Sequence, residues 1–133
     1  MESRIKKLEQ ILKNDRFANH NDIRLISIGK GEASAEMTVS EKHLNGVDII
    51  QGGALFTLAD FAFAAASNSH GRIAVATNAS INFFKGVSSG KLTAKAKELN
   101  SGKTLSSYTV DIMDENDTKI AFFSGTAFMK GEY

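Results

Sequence analysis

Between Ala54 and Ala66 the chain reads ALFTLADFAFAAA, an apolar run of helical length broken by a single charge, Asp60. No other acidic or basic side chain, histidine aside, falls from Gly52 through His70. A helix with no polar face has to be covered by other elements on every side. The run is too short to cross a bilayer. The expectation is therefore a central buried helix from Gly53 to Ser69, with Gly71 as its C-terminal cap.

The flanking segments supply the cover. Ile5, Leu8, Ile11 and Leu12 recur at three- and four-residue spacing between Lys and Glu, which predicts an N-terminal amphipathic helix. Ala33, Ala35, Met37 and Val39 alternate with polar residues, as in a half-buried strand. Four further strand patterns follow the central helix. Ile73, Val75, Ala79, Ile81 and Phe83 share one parity, and Leu92, Ala94 and Ala96 form the next set. Tyr108, Val110 and Ile112 come after a Ser101-Gly102-Lys103 turn, and Ile120, Phe122 and Phe128 after the turn at 114–117. Closely spaced strands without helices between them imply an antiparallel meander. The predicted class is α+β, a curved antiparallel sheet wrapped around one buried helix, in one domain over 1–133. Such a sheet leaves one face and its edges in need of cover, and dimerisation would supply it.

Bulk composition narrows the function classes. Apolar residues make up 42% and charged residues 23%, as in an ordinary globular protein. The net charge of +1 gives no electrostatic argument for nucleic acid or an anionic membrane. There is no cysteine, which excludes a thiol nucleophile, thiolate metal sites and disulfides, and suits a cytoplasmic setting. The charged N-terminus lacks the apolar core of a secretory signal. His20, His43 and His70 have no metal-ligand spacing, and Ser67 and Ser69 have no adjacent base, so neither a metal site nor a serine triad is expected.

The chemistry gathers around the helix start. An unpaired buried carboxylate costs several kcal/mol, so Asp60 must be paired, neutral or in use. A structural carboxylate bonded to backbone amides is the competing reading. Gln51-Gly52-Gly53 opens directly into the helix, where the first amides lack internal partners and sit at the positive dipole end. Such amides can hold a carbonyl oxygen that becomes an oxyanion. A plain tight turn is the alternative for the glycine pair. Asp60 lies about two turns further on, roughly 10 Å by helical rise, too far to attack the same carbonyl. Two subunits could bring an amide and a carboxylate together.

Leu44-Asn45-Gly46, then Gln51 through Phe63, then Asn68-Ser69, resembles the hot-dog-fold thioesterases of the phenylacetic acid degradation type. The likeness continues through Ile81-Asn82-Phe83 and the Lys91 to Ala94 strand. It implies hydrolysis of acyl-CoA thioesters, with an aryl or medium-chain acyl group and no cofactor beyond the CoA of the substrate. It also implies a homodimer, pairing into a tetramer. By the same resemblance Asp60 is the nucleophile or general base, the Gly52 amide polarises the carbonyl, and Asn45 positions carbonyl or water. Thr77 or Asn78 stands near the carboxylate, though Asn78 and Ser80 share a parity that could simply face solvent. The stretch Phe84, Lys85, Gly86 and Ser88, with Gly53, receives CoA, and Arg72 and Lys85 are candidate phosphate partners. Position 51 departs from the family pattern, carrying Gln51 where His is usual. Gln orients by hydrogen bonds but does not titrate near neutrality. Phe56, Phe61 and Phe63 are acyl-pocket candidates, with core packing the stronger reading for most. Two other classes stand beside hydrolysis: a non-catalytic acyl-CoA-binding module, and a hydratase or dehydratase, which would need a His paired with an acid.

Overall fold

The computed structural model describes residues 2–132. Helices α1 (Glu2–Lys13) and α2 (Arg16–His20) lead into a hairpin of β1 (Ile23–Gly29) and β2 (Glu32–Val39). A 3-10 turn at Glu41–His43 and a loop bring the chain to α3 (Gly52–Ser67). Strands β3 (Arg72–Phe83), β4 (Gly90–Ser101), β5 (Leu105–Met113) and β6 (Lys119–Glu132) complete it. All six strands form one antiparallel sheet in the order β1-β2-β4-β5-β6-β3, with α3 packed on one face. This is the predicted α+β architecture.

Three strands alternate as expected, burying Ala33 to Val39 of β2, Leu92 to Ala96 of β4 and Tyr108 to Ile112 of β5 beneath the helix. Leu55, Leu58, Ala62 and Phe63 of α3 meet them, and Phe63 packs edge-on to Tyr108 and tilted against Phe123. Gly125 makes that approach possible, because a Cβ there would lie 3.0 Å from the Phe63 ring.

The structure corrects several expectations. Strand β1 was not predicted, nor was α2. The last four strands are not one meander: β3 crosses to the far edge and pairs only with β6, while β4 pairs with β2. Along β3 the register slips between Ala76 and Asn78, so the strand changes face there. Ala74 packs inward before the slip and Ala79 and Ile81 after it, leaving Ile73, Val75 and Phe83 exposed. In β6 the helix-facing set is Ala121, Phe123, Gly125, Ala127 and Met129, with Phe122 and Phe128 on the other face. Helix α3 ends at an Asn68 cap, and Gly71 serves the turn beyond it with φ 84°. Nor is α3 covered all round. Gly53, Phe56, Thr57, Asp60 and Ala64 form a stripe that one chain leaves partly open.

Candidate active site

The first turn of α3 is built by Gln51. It is the N-cap, extended at φ −67° and ψ 134°, and its carbonyl accepts from the Ala54 amide at 2.9 Å. Its side-chain Oε1 accepts from the Gly53 amide at 3.4 Å. The Gly52 N–H has no acceptor among the described residues. That is an orphan donor at the positive end of a sixteen-residue helix, the geometry that favours developing negative charge. The ring of Phe83 closes one side of it, 3.0 Å from where a Gly52 Cβ would stand.

Two loops fasten to each other beside this amide. Asn45 Oδ1 accepts from the Val47 and Ile49 amides at 3.0 and 3.1 Å, fixing a tight loop. The Ile50 amide donates to Val87 O at 2.8 Å and the Ser88 hydroxyl to Asp48 O at 2.6 Å. Gly86 lets Ile49 lie against the backbone, since a Cβ there would be 2.9 Å from Ile49 Cγ2. The result is a pocket of about 420 Å³ lined by Ile49, Ile50, Gly52, Leu55, Phe83, Phe84, Lys85 and Gly86. Lys85 makes no close ion pair among the described residues, though its charge reaches the Asp114 carboxylate and helps hold that group below its ordinary pKa.

Asp60 stands on the open stripe of α3, three residues beyond Thr57 and seven beyond Gly53, so the three share a face. Its carboxylate accepts no hydrogen bond and forms no ion pair among the described residues. Burial pushes its pKa above the ordinary value, and the Asp15 carboxylate pushes it the same way. The backbone-bonded structural carboxylate is thus not what one chain presents.

The fold and this geometry find clear relatives. A family model described as the thioesterase superfamily matches residues 48–121. An Escherichia coli protein named acyl-coenzyme A thioesterase PaaI is 39% identical over 89% of this chain and 85% of its own. The solved structure of the E. coli PaaI protein superposes with a TM-score of 0.92, covering 98% of this chain and 96% of that one at 34% identity. A Streptococcus mutans protein solved bound to acetyl CoA is 27% identical, with TM-score 0.79, covering 83% of this chain and 90% of its own. The chain belongs to the thioesterase superfamily.

Within this hot-dog thioesterase the sequence-predicted residues divide into groups. Gly52, Phe84, Lys85 and Gly86 share one pocket, and Asn45 and Ser88 hold its loops in place. Among the described residues the Asn45 side-chain NH2 makes no hydrogen bond, while its oxygen is engaged within the loop. Gln51 and Gly53 line a neighbouring groove of about 360 Å³ together with Phe17, Asn21, Lys42, His43, Ala54 and Thr57. Thr77 and Asn78 sit at the slip in edge strand β3 and line neither space; the Thr77 hydroxyl donates to Thr126 O at 3.2 Å. The Arg72 guanidinium donates to the carbonyls of Lys103, Met129 and Lys130. His43 is structural: buried, its Nδ1 accepts from the Ser40 amide and its Nε2 donates to Asn21 O. Phe61 and Phe63 are core, and Phe56 packs edge-on to Phe123. Phe17, on a helix of five residues with too few positions to show a period, was not singled out from sequence.

Proposed function

We propose that this thioesterase hydrolyses acyl-CoA esters carrying an aryl or medium-chain acyl group, at a site shared by two copies of the chain. The observation that carries the reading is a pair of polar groups left without partners in one chain, the Asp60 carboxylate and the Gly52 N–H. They lie about two turns apart on one helix, roughly 10 Å. A second copy running antiparallel sets the Asp60 of one against the Gly52 of the other.

In that arrangement the thioester oxygen accepts from the Gly52 N–H, which gains strength as the oxygen turns anionic. Asp60 takes a proton from water, or itself adds to the carbonyl carbon to give an anhydride that water then opens. In the first route the water oxygen bonds to the carbonyl carbon, the C–S bond breaks and Asp60 passes the proton on to the CoA thiolate. In the second the C–S bond breaks as the anhydride forms, and the water that opens the anhydride supplies the thiolate's proton. The free acid leaves in both. Gln51, the NH2 of Asn45, and Thr77 from the edge strand orient carbonyl and water. Phe84, Lys85, Gly86 and Ser88, with Asn78, receive the CoA arm, where Lys85, free of a close ion pair, suits a phosphate. The route draws on no metal and no organic cofactor, CoA being part of the substrate. The printed name of the E. coli relative and the acetyl CoA of the S. mutans structure support the substrate class. The same proposal has dimers pair into a homotetramer working in the cytoplasm.

The test is thiol release from short, medium, long and aromatic acyl-CoAs, with Asp60→Asn beside the unmutated chain. Turnover by the variant is expected to fall at least about a hundredfold, the scale of losing a principal catalytic group. A folded Asp60→Asn protein with near-normal turnover removes Asp60 from the mechanism.

A further inference from the structure

A thioester carbonyl carbon carries two arms, sulfur and acyl, that leave it in divergent directions. With its oxygen held at the Gly52 N–H, the two arms need two separate channels. The structure has two spaces against the first turn of α3, on different faces. The space at Gly52 and Leu55 carries Lys85, which makes no close ion pair among the described residues and has Asp114 as an acidic neighbour. The groove at Gln51, Gly53, Ala54 and Thr57 carries Lys42, whose ammonium is ion-paired with Asp22 at 2.9 Å. An anionic CoA arm therefore favours the first space, and the second is left for the acyl arm.

We propose that the acyl group lies in the groove between α2 and α3, beneath Phe17, and that Phe17 sets acyl selectivity. This rests on the thioesterase reading of the Gly52 site. Three observations converge on it. Phe17 keeps 65% of its surface exposed at the groove, an aromatic with little cover in one chain. The facing wall is Gly53, Ala54 and Thr57, small side chains that leave about 360 Å³, room for a ring or a medium chain. Phe17 is also held in place: the Asp15 cap fixes α2 by accepting from the Ala18 amide at 2.9 Å, and Asn21 donates to Phe17 O at 2.9 Å. An aromatic anchored opposite a wall of small residues makes a slot that rewards an apolar acyl group and gives an acetyl group little to touch.

The experiment compares kcat/KM for phenylacetyl-CoA, decanoyl-CoA and acetyl-CoA in the unmutated chain, Phe17→Ala and Lys85→Ala. For Phe17→Ala the ratio of phenylacetyl or decanoyl to acetyl is expected to fall about tenfold, the low end for losing an apolar pocket contact. Lys85→Ala is expected to raise KM for all three alike. The ratio holding steady in Phe17→Ala, or moving in Lys85→Ala instead, overturns the assignment. Affinities of the non-hydrolysable thioether analogues of the same three esters are measured in parallel. Absence of turnover in the unmutated chain counts against the hydrolase reading, while the analogue affinities still decide the groove: loss of preference for the larger groups in Phe17→Ala supports it, and no change overturns it.

Discussion

Gly52 and Gly53 are neighbours with different constraints. A Cβ at Gly53 meets only Gln51 Cγ at 3.9 Å, and its backbone is not in the left-handed region. Gly53→Ala is therefore expected to raise stability by about 0.5–1 kcal/mol through helix propensity, read as a higher midpoint in urea. Gly52 is the first helical residue, where proline is tolerated, and Gln51 before it already has the extended conformation that a following proline requires. Gly52→Pro removes the N–H with the helix start kept, and Phe83, 53% exposed, has room to turn aside. Its kcat is expected to drop about 10²–10³-fold, the usual loss for one oxyanion donor. Asp60→Asn should show the reverse balance of activity and stability. Burial raises the folded pKa of Asp60, so the acid's contribution is intact below its unfolded pKa and is lost as pH rises through the folded one. The inactive variant is thus expected to melt above the unmutated chain at neutral pH, with the gap closing as pH falls to the ordinary carboxylate range. A constant gap across pH would show that Asp60 is not desolvated.

At the scale of elements, the far end of α3 is tied down by a different carboxylate. Glu98 of β4 accepts from the Tyr108 hydroxyl at 3.1 Å and pairs with His70 Nε2 at 2.8 Å. Burial pushes the Glu98 pKa up, but the bonds from His70 and Tyr108 outweigh it and hold the group below its ordinary value. The sign is opposite to that of Asp60: Glu98→Gln is expected to cost stability above the unfolded carboxylate pKa, with the loss fading as pH falls through the folded one. Gly125→Ala should cost about 1–3 kcal/mol, because its Cβ would press on the rings of Phe63 and Phe123 at 3.0 and 3.1 Å. Legibility at this scale followed regularity. Helix α3 could be read as an unbroken apolar run, and strands β2, β4 and β5 because the alternation over 33–39, 92–96 and 108–112 is uninterrupted. Strand β1 could not: its register slips between Leu25 and Ser27, so its inward residues fall at 23, 25 and 28. The slip in β3 misled in the same way, and β6 is apolar on both faces, so Phe122 and Phe128 outweighed the smaller residues that do face the helix. Of the site, the Gly52 turn and the Phe84 to Gly86 loop were legible as short motifs. Phe17 was not, since it shares a groove with Gly53 and Thr57 only through the tertiary fold.

In the whole molecule, β3 is a twelve-residue edge with one side unpaired, and Ile73 and Val75 beside it are 40% and 47% exposed. An apolar edge of this kind calls for cover, and the open stripe of α3 calls for it too. If two copies share each site, the defects of Asp60→Asn and Gly52→Pro fall in different halves. In a mixed dimer one site collects both lesions and the other collects neither. Unfolding and refolding the two variants together at equal amounts is therefore expected to restore about a quarter of normal activity, since half the dimers are mixed and each has one intact site of two. Recovery no greater than the sum of the separate variants would place the whole site in one chain.

The capping role of Gln51 reaches beyond the helix start. The residue next to the proposed oxyanion donor is an amide with no titratable proton. Asp60 is then the titrating group of the proposed mechanism, its pKa raised by burial. The rate plotted against pH should climb once, through a midpoint above that of an ordinary aspartate, and then stay level.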